Sequence, residues 1–127
     1  MAESTLAKKL QLKPGRSVLV LNAPEGFLDE LRPLPDDVAV AERAKGTYDM
    51  VILFVKDHAE LDKRAAPALK SWKPGGILWL AWPKGSSKIP TDLNRDSLYA
   101  AAQKLGLQAV SNISIDERWS ALRFKRK

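Results

Sequence analysis

At 127 residues the chain has the length of one domain, residues 1–127, and its 45% hydrophobic and 28% charged content is that of a soluble globular protein. It holds no cysteine, which excludes disulfides, thiolate catalysis and cysteine-bound zinc and suits a cytoplasmic location. The net charge of +6 is uneven, with 10 basic against 11 acidic side chains in residues 1–64 and 11 against 4 in residues 65–127.

The longest apolar runs, Met50 to Val55 and Ile77 to Trp82, are core-strand length and fall far short of the ~20 residues of a membrane helix. Residues 1–5 lack a basic segment followed by an apolar one, so no secretory signal is expected.

In Ser4 to Leu12, Leu6 and Leu10 lie one turn apart with Lys8 and Lys9 facing away, which predicts a short amphipathic helix. Lys13-Pro14-Gly15 ends it. Arg16 to Leu21 is β-rich and almost wholly apolar, as a strand buried on both faces should be. The loop Leu21-Asn22-Ala23-Pro24-Glu25-Gly26 leads into a helix expected from Pro24 to Leu31, since proline suits a first turn. Beyond the loop containing Pro33, Pro35, Asp36 and Asp37, Val38 to Val40 is a weak strand. The turn Lys45-Gly46-Thr47 introduces a strong one, Met50 to Val55.

Asp57 to Trp72 reads as a helix, with Asp57 as its cap and Glu60 at capping-box spacing, and Lys73-Pro74-Gly75-Gly76 breaks it. Ile77 to Trp82 is a third strong strand, and the loop Pro83 to Pro90 is rich in Gly, Ser and Lys. Thr91 to Leu105 is a helix ended by Gly106. Leu107 to Ile115 and Trp119 to Phe124 are separated only by Asp116-Glu117-Arg118, which forces an antiparallel hairpin.

Alternating strands and helices predict a three-layer, doubly wound α/β fold: a mostly parallel sheet of about five to six strands ending in that antiparallel hairpin. One spacing conflicts with regular winding. Ala41 to Asp49 is too short for a helical crossover, so the second strand is either very short or an edge segment.

Several segments resemble the S-adenosylmethionine-dependent methyltransferases. Gln11-Leu12-Lys13-Pro14-Gly15-Arg16-Ser17-Val18-Leu19 looks like the lead-in to their first strand, and Tyr48-Asp49-Met50-Val51-Ile52 like their fourth. Leu69 to Leu80 looks like the turn into their fifth, and the closing hairpin matches their antiparallel last strand. The resemblance implies a truncated Rossmann-like version of that fold, lacking one helix–strand–helix segment between Glu42 and Tyr48.

A second resemblance covers nearly the whole chain. Leu6-Ala7-Lys8-Lys9-Leu10, Leu21 to Gly26, Trp79-Leu80-Ala81-Trp82-Pro83-Lys84, Thr91-Asp92-Leu93 and Asp116 to Phe124 are similar to a family of short bacterial proteins classed only as a domain of unknown function. It implies membership and carries over no catalytic residues.

In an open parallel sheet, ligands bind beyond the carboxyl ends of the strands. The residues expected there are Asn22, Glu25 and Gly26 after the first strand, Lys56 and His58 after the third, and Trp82 and Lys84 after the fourth. Glu42 joins them if the second strand is regular. Each has a structural reading too: Asn22 closing a turn, Glu25 stabilising a helix N-terminus, the lysines solvated. S-Adenosylmethionine needs close approach of backbone, which Ala23 and Pro24 obstruct, while Glu25 opposes a phosphate at the helix start. Glu42 could serve as a ribose-binding acid.

His58 is the one histidine and no Gly-x-Ser-x-Gly elbow occurs, so no hydrolytic triad is assigned. Asp57, His58, Glu60 and Asp62 scatter around a helix axis, so no metal site is assigned. Lys84 and Lys88 lie in a loop that could close as a lid over an anion. Trp79 should be core, and Trp82 is the tryptophan expected near a ligand or partner. Arg123, Lys125, Arg126 and Lys127 either attract nucleic acid or form a solvated tail.

Together these features favour a small Rossmann-like protein without catalytic residues. It would bind a ligand or regulate a partner at the carboxyl edge of its sheet, the partner being a small anionic molecule or another protein. The rivals are a methyltransferase-like enzyme, with S-adenosylmethionine as cofactor, and a nucleic-acid accessory protein using the basic half. No cofactor is otherwise expected, and no membrane association.

Overall fold

The computed structural model describes residues 4–85 and 89–126, so Lys88 and Lys127 lie outside the described residues. Two apolar strands form its centre. β1 (Ser17–Leu21) and β3 (Tyr48–Phe54) pair in parallel, Val18 opposite Met50 through Leu21 opposite Leu53. Both are continuous apolar runs because both faces are covered. Val18, Val20, Met50, Ile52 and Phe54 belong to one core cluster, whereas Leu19, Val51 and Leu53 belong to the other.

The first cluster is closed by α1 (Thr5–Lys9) and α2 (Phe27–Leu31), the second by α3 (His58–Ser71) and α4 (Arg95–Lys104). The result is three layers. Trp79 lies fully buried in the first cluster, and its indole Nε1 donates to the carbonyl of Leu10 at 3.1 Å, which fixes the end of α1 against the sheet. No helix among the described residues is long and apolar enough to cross a membrane.

β2 (Ala39–Ala41) lies beside β1 at the sheet's edge. It is both short and peripheral, and its register explains the tight spacing that follows. Its residues pair with Ser17 to Leu19, the amino half of β1, so the chain leaves it level with Val51 and drops back only as far as Tyr48, without a crossover helix. The Tyr48 hydroxyl donates to the carbonyls of Arg43 and Lys45, at 3.1 and 2.9 Å, and gathers that short connection.

β4 (Trp72–Pro83) starts earlier than the apolar run suggests. Trp72 already pairs with Tyr48, and the register then slips until Ile77 meets Met50. Lys73-Pro74-Gly75-Gly76 therefore ends α3 but bulges within the sheet instead of preceding it. A Cβ on Gly76 would sit 2.6 Å from the Asp49 carbonyl oxygen and 2.9 Å from that of Lys73, so only glycine permits this approach.

β5 (Leu107–Ser114) and β6 (Trp119–Arg126) complete the sheet, whose order is β2-β1-β3-β4-β6-β5. Pairs β1/β2, β1/β3 and β3/β4 are parallel, while β4/β6 and β5/β6 are antiparallel. The expected mostly parallel sheet is thus a mixed one, because the hairpin contributes both antiparallel ladders.

Helix limits differ where caps sit inside the expected spans. α2 begins at Phe27 because Gly26, at φ +87°, serves as its N-cap, leaving Pro24 in the preceding turn. α4 begins at Arg95 because Asn94 and Ser97 form a reciprocal capping box. Thr91 and Asp92 serve the loop instead: the Thr91 hydroxyl accepts from Leu93 N–H, and Asp92 accepts from His58 N–H.

At the amino edge, Ser17 and Asp49 tie the starts of β1 and β3. One Asp49 oxygen accepts from the Ser17 N–H at 2.9 Å and its hydroxyl at 3.2 Å. The Ser17 backbone donor, with Lys73 adding to it against the effect of burial, holds the Asp49 carboxyl below the usual carboxylate range.

Candidate functional site

At the carboxyl edge, the end of β1 folds back on itself. Asn22 is left-handed, at φ +61°, a conformation asparagine tolerates better than most residues. Its amide nitrogen donates to the Phe54 carbonyl at 2.8 Å and to a Glu60 carboxylate oxygen at 3.3 Å. The other Glu60 oxygen accepts from Lys56 N–H at 2.6 Å. Asp57 caps α3 through the Glu60 N–H as its spacing predicts, but Glu60 reaches Lys56 and Asn22 where a capping box would return it to Asp57. Glu60 is therefore the residue that joins two predicted site positions. Its cap spacing gave it a role in the sequence without revealing this one.

The other expected positions are dispersed. Trp82 is 5% exposed, packed in the cluster containing Leu93 and Leu98. Lys84 donates its backbone N–H to the Arg118 carbonyl at 2.8 Å and its Nζ to the Ser114 hydroxyl at 2.6 Å, which docks it on the hairpin. Glu42 is exposed just past β2. His58 is half-buried at the start of α3, where its N–H meets Asp92 at 2.8 Å.

Glu25 opens onto a cleft of about 460 Å³ between α2 and the hairpin turn. Phe27 and Trp119 form its floor, each edge-on to Phe54, with ring centroids 4.7 and 5.2 Å from it. Its rim carries Glu25, Glu30, Asp116, Glu117 and Arg118. Partial burial and then the adjacent Asp116 carboxylate hold the Glu30 carboxyl above its ordinary range, with Arg118 opposing. Asp116 also accepts from the N–H groups of Arg118 and Trp119, at 2.7 and 2.9 Å, which fixes the turn.

The sequence reading missed Glu30, Asp116 and Arg118 as rim residues. A signal was available: β6 runs antiparallel to β4, with Trp119 opposite Pro83, so the turn before it has to reach the carboxyl edge. Among the described residues, no group of three or more His, Asp or Glu side chains could hold a metal ion.

The comparisons with known proteins bear on this geometry. Residues 7–127 match the family described as protein of unknown function, DUF3052. The chain belongs to that family. No curated protein matches this DUF3052 member in sequence. Its fold is similar to that of an S-adenosylmethionine-dependent methyltransferase from Thiobacillus denitrificans, solved with S-adenosyl-L-homocysteine. The TM-score is 0.62 at 14% identity, covering 97% of this chain and 90% of that one. The corresponding methyltransferase from Geobacter sulfurreducens, in the same complex, gives a TM-score of 0.63 at 13% identity over 97% and 89% of the two chains. A ribosomal protein L11 methylase from Lactobacillus delbrueckii subsp. bulgaricus gives 0.58 at 13% identity over 96% and 75%. At these identities the likeness establishes a methyltransferase-like fold.

The basic residues near the chain's end face different tasks. Arg126 stacks 3.9 Å over the Trp72 ring and donates to the Trp72 carbonyl at 2.9 Å, closing the end of α3. Arg123 donates to the Gln11 side-chain oxygen at 2.5 Å, while Lys125 is exposed. Strand alternation puts Arg123 and Lys125 on one face of β6 and Arg126 on the other.

Proposed function

We propose that this DUF3052 protein is a ligand-binding or regulatory module without catalytic residues, built on a methyltransferase-like fold and working through its carboxyl edge. The Asn22 contacts carry the reading. A nucleoside cofactor at this edge requires the backbone after the first strand to lie open. Here the Asn22 amide turns inward onto Phe54 and Glu60, Pro24 offers no donor, and Glu25 adds a negative charge. The loop after β1 does not suit S-adenosylmethionine. The neighbouring cleft supplies the place for a ligand, and its aromatic floor with four carboxylates and one arginine favours a small organic cation over an anion.

One observation favours a second reading, an S-adenosylmethionine-dependent methyltransferase. Glu42 stands just past the strand beside β1, where a carboxylate could meet a ribose, in a fold whose neighbours were solved with S-adenosyl-L-homocysteine. Calorimetric titration with S-adenosyl-L-homocysteine separates the two. The proposal expects no saturable heat at millimolar ligand, whereas the second reading expects binding that Glu42→Ala abolishes.

A further inference from the structure

The opposite edge of the sheet carries a second cleft, of about 300 Å³, between the segment 11–16 and the turn 73–76. Lys13, Arg16, Lys73 and Arg123 line it, against one carboxylate, Asp49. Asp49 gathers Arg16 and Lys73, at 3.8 and 3.4 Å, without neutralising the site. Its side chain is 20% exposed, while those of Arg16 and Lys73 are 58% and 56% exposed, so the cations stand in front of it.

The walls are preformed. Gly76 holds the Lys73 turn against β3 by backbone contact that no Cβ would allow. On the facing wall Gln11 adopts φ +64°, a left-handed conformation normally left to glycine, and its side chain accepts from Arg123. That conformation closes the end of α1, where Gln11 N–H bonds the Lys8 carbonyl and Leu12 N–H that of Ala7, and it leaves the Gln11 side chain beside Arg123.

We propose that this amino-edge cleft binds the phosphate group of a small phosphorylated ligand. Two guanidinium groups and two ammonium groups, drawn from three segments to line one cleft, match a multiply charged tetrahedral anion better than a single carboxylate. The volume lies at the lower end for small-molecule sites, which suits a phosphate and a short remainder. Arg126, stacked on Trp72, is not among the cations that line the cleft. The inference is independent of the carboxyl-edge reading, since the two clefts share no residue.

The test is calorimetric titration of inorganic pyrophosphate into the full chain at low ionic strength, with adenosine monophosphate and a ten-nucleotide oligothymidine as parallel arms. The expected result is one saturable site for pyrophosphate, weakened about tenfold or more by Lys13→Gln with Arg123→Gln. Lys63→Gln, which removes one positive charge from an exposed position on α3 as Lys13→Gln does from the cleft, should leave affinity unchanged. Should the double variant fold poorly, Lys13→Gln alone, at an exposed loop position, gives the same reading. Absence of saturable binding, equal loss in Lys63→Gln, or binding of the oligonucleotide alone would overturn the proposal. Adenosine monophosphate binding at the same site identifies a nucleotide source for the phosphate, and pyrophosphate binding alone an inorganic one.

Discussion

The side-chain amide of Asn22, at the end of β1, meets the carboxylate of Glu60, in the first turn of α3, at 3.3 Å. The same amide reaches the Phe54 carbonyl at the end of β3, so one side chain ties three elements at the sheet's carboxyl edge. Asn22→Ala leaves the Phe54 carbonyl and Glu60 without this donor and should lower stability by about 1 kcal/mol in urea unfolding. Asn22→Asp should cost more at neutral pH, because it sets a second carboxylate beside Glu60.

Gly76→Ala is the harshest single change expected. The added methyl would meet the Asp49 carbonyl oxygen at 2.6 Å, and that atom belongs to a paired strand that cannot yield cheaply. A loss of roughly 2–4 kcal/mol, or failure to fold, is expected from thermal and urea unfolding.

Asp49 sets an acid-side dependence. Its carboxyl is held low in the folded protein, so the stability it contributes is fully present above the unfolded carboxylate value, about 4, and is lost as pH falls through the lower folded value. Asp49→Asn should therefore be less stable at neutral pH and lose less than wild type on acidification below about pH 4. Urea unfolding across pH 2 to 7, in steps of about one unit, reads both effects.

Glu30 runs the other way. Its carboxyl is held high by burial and by Asp116, so its contribution is present below the unfolded value and is lost as pH rises through the folded value. Glu30→Gln should raise the Tm at pH 7 relative to wild type and narrow the difference near pH 4. An equal shift at both pH values would contradict a carboxyl held high in the folded protein.

The apolar cores of β1, β3 and β4 were legible because burial on both faces leaves uninterrupted apolar runs, and Trp79 proved to be core for the same reason. The hairpin was legible from chain length alone, since Asp116 to Arg118 permits no other connection. Helix starts were less so: Gly26 and Asn94 act as caps through backbone geometry and reciprocal bonds that composition does not reveal. The site was partly hidden for a different reason. Asn22 and its position at the edge could be read locally, but its acceptor Glu60 lies 38 residues away and already had a local explanation as a capping residue. Glu30 and Asp116 likewise come together only through the packing of α2 beside the hairpin turn.

The central claim is that Asn22 and Glu60 close the loop after β1 to a nucleoside cofactor. Calorimetric titration with S-adenosyl-L-homocysteine at millimolar concentration tests it most directly. The expected result is no saturable heat in wild type. Saturable binding lost in Glu42→Ala would contradict the claim and establish the loop as a cofactor site.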